Sequence, residues 1–467
     1  MMSIAAYLER DASQWADKDF ITYKNTTHTF KDLAKDVKAA AGYLCDRLGR
    51  NSTVAIYAEN SYEWTVIYLA MTAYVGTFMP IDKEWVEHDL RNTLSFIAPD
   101  ALIYSAATAE KAEKIKADHP NIQFIPIEEV FSNSADFENA PLIPREDPDE
   151  TAIIFFSSGT TGRPKAIPLT QGNILNNADT LFSRTPMSNA DLSVLYLPLS
   201  HVYAGISNFL YSLLSGMRLY ISDDIKNSMA DMMRLRPTAV CTVPLVLKRA
   251  RQNMTPELMD MMKNIRWLYS GGSGLDAELK QWYRDRGVTL LDTYGSTETS
   301  AIVATDLPDE EEPRCCGTVF ETVEVKILSP DSEGCGEILI RGKSVTKGYL
   351  NNPDNAKWFD DEGYYHSGDI GRLDDKNRLY VKGRIKRLLD MPNGKNVFAD
   401  ELEELIAAQT GVQKARVYLE EGDITARIFT DMAEEEGAKL VEKINSLLPR
   451  FKHIRRYYLS PTGSVTK

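Results

Sequence analysis

Hydrophobic and polar positions along the first third of the chain alternate between two periods. Over residues 32–48 apolar residues recur every three or four positions, which predicts an amphipathic helix, and the β-rich run 53–57 that follows predicts a strand. Helical periodicity returns over 63–75 and 87–96, while 78–80 and 101–104 have the pattern of strands. This succession of helices and strands predicts an α/β fold around a buried sheet.

Several later strands end at polar or glycine-rich clusters. Residues 152–156 form a continuous apolar run that passes directly into a loop of serine, threonine and glycine. Further strands are predicted over 193–196, 239–242, 267–270 and 289–292. Because ligands of open α/β sheets bind beyond the carboxyl ends of the strands, these clusters are candidate binding loops.

The pattern changes after about residue 322. Short alternating strands at 323–328, 336–341 and 378–382 predict a β-rich subdomain, and a helix–strand–strand–helix succession follows over 399–448. We therefore predict a large N-terminal domain, residues 1–385, of layered α/β subdomains plus the β-rich subdomain. Residues 386–467 are predicted to form a small, mobile α+β lid domain.

Charge and composition narrow the possible partners. The chain has 53 Lys and Arg against 67 Asp and Glu, a net charge of −14, which predicts no nucleic-acid partner and only local phosphate binding. Polar residues interrupt the most apolar region, 194–221, so no transmembrane segment is predicted. The five cysteines form no C-x-x-C pair, which predicts a reducing, cytoplasmic location; we interpret the adjacent Cys315 and Cys316 as packing residues.

The loop after the apolar run at 152–156 has the composition of a phosphate-binding loop. It combines hydroxyls, glycines whose N–H groups can turn toward an anion, and a cation: Ser157, Ser158, Gly159, Thr160, Thr161, Gly162 and Lys165. Its glycines lack the Walker A spacing, which disfavours a P-loop kinase or ATPase. A flexible surface turn is the alternative.

The run from Phe156 to Ala166 resembles the phosphate-binding signature of the adenylate-forming superfamily, which includes acyl-CoA synthetases, adenylation domains of peptide synthetases, and luciferases. Other stretches resemble the family's motifs in the same order: LPLSHV at 197–202, YSGGSG at 269–274, DTYGSTET at 292–299, GE at 336–337, KGYL at 347–350, YHSGD at 365–369, GRIK at 383–386 and GKNV at 394–397. The resemblance covers essentially the whole chain.

The resemblance implies a role for each matching residue on the nucleotide side. Thr160, Thr161 and Lys165 would hold the ATP phosphates, and Thr297 would contact the α-phosphate. Glu298 would bind Mg²⁺, which prefers carboxylate oxygen. The adenine and ribose would be held by Gly272, Ser273, Asp292, Tyr294, Gly295, Asp369 and Arg384. For Tyr294, plain core packing is the alternative.

Other matches concern the acid, the thiol and domain motion. The resemblance implies an acyl pocket at His201, Val202, Tyr203 and Gly205, with ordinary packing as the alternative for the histidine. It also implies a hinge at Lys386, a CoA-facing loop at Gly394, Lys395 and Asn396, which equally fits a hairpin turn, and a C-terminal catalytic lysine at Lys467. Thr466 precedes that lysine where the family has glycine. The implied catalytic residues are Lys165, Thr297, Glu298 and Lys467.

The segment after the pocket motif narrows the substrate. Amino-acid adenylation domains have an aspartate there, and residues 201–207 contain none, so an acid with an uncharged tail is implied. The motifs look most like those of fatty acyl-CoA synthetases. The predicted function is an AMP-forming acyl-CoA ligase that uses ATP, Mg²⁺ and CoA. Transfer to an acyl carrier protein, an enzyme that stops at the adenylate, and a non-catalytic nucleotide sensor are the alternatives; the oligomeric state is open.

Overall fold

The computed structural model describes residues 2–157, 165–222, 224–307, 315–390 and 396–462. The α-helices in these ranges are α1 (Ile4–Gln14), α2 (Phe30–Leu48), α3 (Tyr62–Ala70), α4 (Glu87–Ile97), α5 (Ala109–Lys116), α6 (Ile127–Ser134), α7 (Gln171–Arg184), α8 (Val202–Ala204), α9 (Tyr211–Ser215), α10 (Ser228–Leu235), α11 (Pro244–Gln252), α12 (Pro256–Asn264), α13 (Ala277–Arg284), α14 (Ala399–Ala407) and α15 (Glu434–Ser446). Short π-helical segments lie at Met71–Val75 and Gly205–Leu210, and 3₁₀ turns at Ala135–Phe137, Thr297–Thr299, Asn355–Lys357, Ile385–Arg387 and Arg450–Lys452. Within the described part of the chain, no helix is both long and apolar enough to cross a membrane.

The strands are β1 (Asp19–Tyr23), β2 (Thr26–Thr29), β3 (Thr53–Tyr57), β4 (Thr77–Ile81), β5 (Ala101–Tyr104), β6 (Gln123–Pro126), β7 (Thr151–Ser157), β8 (Lys165–Thr170), β9 (Leu192–Leu195), β10 (Arg218–Ile221), β11 (Ala239–Thr242), β12 (Trp267–Ser270), β13 (Leu290–Tyr294), β14 (Ala304–Thr305), β15 (Thr318–Val319), β16 (Val323–Leu328), β17 (Gly336–Gly342), β18 (Tyr365–Leu373), β19 (Leu379–Arg384), β20 (Leu388–Asp390), β21 (Asn396–Phe398), β22 (Val412–Glu420), β23 (Asp423–Thr430) and β24 (Arg456–Ser460). Predicted and observed strands agree closely at 53–57, 101–104, 239–242 and 267–270. The β1–β2 hairpin was not predicted by the hydrophobic pattern, because β2 reads Thr-Thr-His-Thr and buries none of its residues fully.

Two layered sheets form the larger part of the molecule. One has the order β6-β5-β3-β4-β7-β8 and is parallel except for β8, which runs antiparallel to β7. The other has the order β15-β14-β13-β12-β11-β9-β10-β1-β2, with a parallel centre from β13 to β1. Helices cover these sheets; α4 and α5, for example, bury Leu90, Leu94 and Ile115 against the first. The predicted α/β fold is confirmed.

The chain divides into two compact units. The first comprises residues 1–325, 340–365 and 375–379, and the second comprises 326–339, 366–374 and 380–467. In the second, β22-β23-β24 form a sheet whose core includes Leu402 and Ile406 of α14 and Ile444 of α15. Strands β16, β17, β18 and β19 form a further sheet in that order, and β20 pairs with β21. The predicted domain boundary at residue 386 stays a prediction.

Local sequence explains where individual helices begin. Thr29 caps α2 in a capping box, since its hydroxyl accepts a hydrogen bond from the Asp32 N–H and the Asp32 carboxylate accepts one from the Thr29 N–H. Thr170 and Asn173 form the same reciprocal pair at the start of α7, directly after β8. This second cap fixes the point at which the chain leaves the first sheet.

Candidate active site

A β-hairpin holds the two ends of the predicted phosphate loop. Ser157 is the last residue of β7, Lys165 is the first of β8, and the two are directly paired in the antiparallel ladder. The residues between them, including Ser158, Gly159, Thr160, Thr161 and Gly162, lie outside the described ranges. The loop is therefore anchored at both ends by paired strand residues next to the buried sheet.

The ammonium group of Lys165 lies against two aromatic rings. Its Nζ is 3.3 Å from the ring centroid of Trp358 and 4.3 Å from that of Tyr349. Aromatic faces attract cations through the ring quadrupole, so these rings hold the ammonium group beside the end of the phosphate loop. A cation at this point is suited to binding an anionic phosphate.

The same tyrosine connects Lys165 with Glu298. The Tyr349 hydroxyl donates a hydrogen bond of 2.8 Å to Oε1 of Glu298, whose side chain is buried. Burial and the neighbouring glutamate raise the pKa of Tyr349 well above its usual range, which keeps the hydroxyl proton in place. The predicted phosphate-binding lysine and the predicted metal ligand thus share one neighbour.

Backbone contacts fix the position of the Thr297–Thr299 turn, which carries Glu298. The Thr346 N–H donates to the Glu298 carbonyl oxygen at 2.8 Å, and the Thr346 hydroxyl donates to the Pro168 carbonyl oxygen on β8 at 2.6 Å. Ser300, directly after the turn, donates to the Ser344 carbonyl oxygen at 2.7 Å. Segments far apart in sequence therefore meet next to the phosphate loop.

Glu298 fits a magnesium ligand by its chemistry. It presents hard carboxylate oxygen, and one of its two oxygens has the Tyr349 hydroxyl as donor. Among the described residues, no group of three or more His, Cys, Asp or Glu side chains could hold a metal ion by themselves. Mg²⁺ commonly binds one or two carboxylates together with substrate phosphates and water, so a single well-placed glutamate is consistent with this mode.

The ends of β12 and β13 bring the predicted adenine loop close to the predicted acyl pocket. A Cβ on Gly271 would lie 2.5 Å from the Thr293 hydroxyl oxygen and 3.0 Å from the Tyr203 ring, and Gly272 has φ +79°. Glycine is therefore required at both positions, at the first for space and at the second for conformation. Tyr294, half-buried at the end of β13, and Gly295 follow directly, and a Cβ on Gly295 would lie 1.9 Å from the Ala301 carbonyl oxygen.

The predicted acyl-pocket residues differ in exposure. His201 is exposed, with Nε2 3.3 Å from a carboxylate oxygen of Asp82, and this contact lowers the pKa of Asp82. Val202 is buried, while Tyr203 packs its ring against Gly271. Gly205 begins a π-helical segment, where a Cβ would lie 3.2 Å from the Leu199 carbonyl oxygen. Tyr203 is the member of this set that contacts the adenine loop.

The second unit holds the predicted ribose and hinge residues. Arg384 Nε lies 3.1 Å from a carboxylate oxygen of Asp369; the arginine side chain is 69% exposed and the aspartate side chain 10%. Gly368, directly before the aspartate, has φ +70°. Lys386 lies in the 3₁₀ turn Ile385–Arg387. Gly394, Lys395 and Lys467 lie outside the described residues, and Asn396 begins β21.

The sequence matches one family of known proteins over most of its length. The profile of the family described as "AMP-binding enzyme" matches residues 8–350. The chain belongs to this AMP-binding enzyme family. The predicted family is thereby confirmed. The predicted enzyme class, an ATP-dependent acid–thiol ligase, is confirmed by this match together with the CoA ligases among the relatives. The acid and the thiol stay predictions.

Individual relatives of this AMP-binding enzyme have low sequence identity, but the similarity extends over most of the chain. It is 25% identical to 4-coumarate–CoA ligase 3 of Oryza sativa over 87% of this chain and 77% of that protein. It is 26% identical to the long-chain-fatty-acid–CoA ligase ACSBG2 of Xenopus laevis over 80% of this chain and 61% of that protein. The solved O-succinylbenzoate coenzyme A synthetase of Bacillus subtilis, in complex with ATP and magnesium, is similar with a TM-score of 0.85 at 23% identity, covering 97% and 95% of the two chains.

Some residues of the AMP-binding enzyme's site were not assigned by sequence reasoning. The motif at 347–350 carries part of the family resemblance, yet it assigns no role to Tyr349, and no motif singles out Trp358. Lys280 is fully buried on α13, next to the equally buried Leu279. Its place on the apolar face of an amphipathic helix is the one sequence signal that could have found it.

Proposed function

We propose that this AMP-binding enzyme is an AMP-forming acyl-CoA ligase. A carboxylate oxygen attacks the α-phosphorus of ATP, the bond to pyrophosphate breaks, and an acyl-adenylate forms. The CoA thiol then attacks the acyl carbonyl carbon, its proton goes to solvent, and AMP leaves. The observation that carries this proposal is the contact of Lys165 and Glu298 with one tyrosine beside the phosphate loop.

The first half-reaction depends on positioning and on compensation of negative charge. Lys165 neutralises phosphate charge as the bond to pyrophosphate breaks, because charge accumulates on the phosphate oxygens in this step. Thr297 contacts the α-phosphate, and Tyr294 stacks on the adenine. Glu298, together with phosphate oxygens, would hold a magnesium ion, which would supply Lewis-acid stabilisation of the same charge. Holding both reactants in one orientation supplies most of the remaining rate gain.

The remaining assigned residues come from the family resemblance. Asp369 accepts hydrogen bonds from the ribose hydroxyls with Arg384 beside it, and Lys386 is the hinge between the two half-reactions. Gly394, Lys395 and Asn396 face the CoA thiol, and Lys467 contacts the reacting carboxylate. We propose a reducing, cytoplasmic location for the enzyme.

The proposed acid has an uncharged tail, with fatty acids as the first class to test. Residues 201–207 contain no acidic side chain that would bind an ammonium group. Tyr203 belongs to this segment, and the buried thiol of Cys241, whose pKa burial raises to about 12, is an uncharged neighbour that contacts the Ser207 carbonyl oxygen. The names of the relatives include both aromatic and fatty acids, so a panel must cover both.

Mass spectrometry of the products tests this function. The protein is incubated with ATP, Mg²⁺ and carboxylates from acetate to palmitate plus aryl acids, with and without CoA. We expect a thioester that requires CoA, and a loss of at least about 100-fold in the Glu298→Gln variant at limiting Mg²⁺. Formation of the adenylate without a thioester would indicate that the acyl acceptor is an acyl carrier protein rather than CoA. Nucleotide binding without any product would favour the sensor alternative.

A further inference from the structure

A charged side chain is buried completely behind the strand that ends at Tyr294. Lys280 on α13 is 0% exposed, and its Nζ lies 2.6 Å from Oδ2 of Asp306, which is also 0% exposed. The same ammonium group donates to the Cys315 carbonyl oxygen at 2.9 Å. Arg284, one turn further along α13, places Nη2 3.3 Å from the same Asp306 oxygen. A buried charge is costly unless it is paired, so replacing either Lys280 or Asp306 alone would leave the other charge buried without its partner.

Asp306 links this charge cluster to the backbone of β13. Its Oδ2 accepts a hydrogen bond of 2.9 Å from the Asp292 N–H, and its own N–H donates to the Asp292 carbonyl oxygen at 3.0 Å. β13 and β14 pair Thr293 with Thr305 and Tyr294 with Ala304 directly beyond this point. The Asp306 carboxylate therefore accepts the hydrogen bond of the Asp292 N–H, two residues before Tyr294, next to the last β13–β14 pair.

The charged and polar groups around Asp292 and Asp306 come from three described segments. Lys280 and Arg284 lie on α13, Asp306 follows β14, and Cys315 and Cys316 precede β15; the Cys316 thiol is a hydrogen-bond neighbour of Asp292. Burial, together with the negative charge of Asp306, raises the pKa of Asp292 to about 8, although Lys280 opposes this effect. This rise favours the protonated form of Asp292. Burial also raises the pKa of Asp306, and the charge and hydrogen bond of Lys280 oppose this rise.

We propose that Lys280 is a positioning residue for the nucleotide. By pairing with Asp306, it fixes the carboxylate that accepts the Asp292 N–H, and thereby the direction in which β13 delivers Tyr294 to the adenine. This inference rests on the proposed function, because it needs the nucleotide at Tyr294. Because its side chain is 0% exposed, Lys280 cannot reach the substrate or the reacting atoms, so we expect its loss to act on nucleotide affinity more than on turnover.

Kinetics of Lys280→Met test the proposal. Methionine keeps most of the side-chain volume and removes the charge. We expect the KM for ATP to rise about tenfold, the size expected when one hydrogen bond to a charged group is weakened. The kcat and the KM for the carboxylate should change less than about twofold. Lys263→Met, an exposed lysine on α12, is the matched control and should leave all three constants unchanged.

A double variant separates positioning from folding. Lys280→Met with Asp306→Asn removes both charges and keeps an acceptor oxygen for the Asp292 N–H, so we expect it to recover much of the ATP affinity and of the thermal stability. If Lys280→Met does not fold, the double variant and its ATP affinity decide instead: affinity within about threefold of wild type supports the proposal, and a larger loss contradicts it.

Two further outcomes would overturn the proposal. These are an unchanged KM for ATP in a folded Lys280→Met protein, and an equal rise of the constants for ATP and carboxylate, which indicates a merely structural role. Calorimetry with ATP and Mg²⁺ alone keeps the test independent of turnover. If the wild-type protein binds ATP but forms no product, the proposed function fails, while the ratio of ATP affinities still tests Lys280.

Discussion

Two ion pairs near proposed nucleotide contacts have opposite environments. In the first unit, Lys280 and Asp306 are both fully buried, and the aspartate also binds backbone. In the second unit, Arg384 is largely exposed beside a mostly buried Asp369. A buried pair cannot exchange partners without a large desolvation cost, whereas an exposed arginine can turn toward a ligand at little cost. The first pair is thus suited to fixing backbone geometry and the second to contacting substrate.

The largest effect is expected when the buried pair is broken from the acidic side. Asp306→Ala leaves Lys280 buried without its carboxylate and removes the acceptor of the Asp292 N–H. We expect the free energy of unfolding to fall by about 3–5 kcal/mol in urea denaturation. Asp260→Ala removes a comparable pair with Arg236 at the surface and should cost less than about 1 kcal/mol. Equal losses in the two variants would contradict the distinction.

A smaller loss is expected at the tyrosine beside the phosphate loop. Tyr349→Phe removes the hydroxyl that donates to the buried Glu298, and a hydrogen bond to a charged group contributes about 1.5–3 kcal/mol. Tyr364→Phe removes a similar bond to Glu324, whose side chain is 57% exposed and can bind water instead. Urea denaturation of both variants measures the difference. A larger loss for Tyr364→Phe would show that burial of the glutamate is not the cause.

The exposed pair should affect binding rather than folding. Arg384→Ala is expected to change the free energy of unfolding by less than about 1 kcal/mol, since its guanidinium is largely solvated in the folded protein. If it contacts the ribose, the KM for ATP rises about tenfold in the same variant. Stopped-flow nucleotide binding and thermal melting measure the two effects separately. A destabilised variant with unchanged ATP affinity would reverse the assignment of the two pairs.

The last expected effect concerns how stability changes with pH rather than stability at one pH. An unfolded aspartate titrates at about 3.9, whereas the pKa of folded Asp292 is raised to about 8, mainly by burial. Between these values the folded state binds more protons than the unfolded state, so the stability contributed by protonated Asp292 falls as pH rises and is lost fully only above about 8. Asp292→Asn should flatten this decline in melting temperature. Asp285→Asn, an exposed residue after α13, should leave the decline unchanged.

Sequence patterns predicted the elements better than the contacts between them. Apolar runs located β3, β5 and β11 because these strands are buried on both faces, and the motif order identified the family. Tyr349 and Glu298 are 51 residues apart, so their hydrogen bond could not be derived from any local pattern. The predicted helix over 63–75 becomes α3 and then a π-helical segment, Met71–Val75, because periodicity cannot distinguish hydrogen bonds to the fourth residue from those to the fifth.

Charge was the least predictable property of the site. A lysine in the sequence of a helix is ordinarily assigned to its solvent face, and Lys280 is instead fully buried because its partner comes from another segment. Asp292 belongs to a family motif, yet its carboxyl group lies with Lys280, Asp306 and Cys316. Its role in binding ATP stays a prediction. Only folding reveals which charged groups are paired, since pairing depends on residues distant in sequence.

The buried pair also restricts how this protein can diverge. A change at Lys280 alone, or at Asp306 alone, passes through a protein with an unpaired charge in its core, and such intermediates are selected against. Substitutions at the two positions are therefore expected to be inherited together, as a retained pair or as a joint replacement by uncharged residues. The history of this pair would then be visible as correlated change between a helix and a strand end that share no sequence motif.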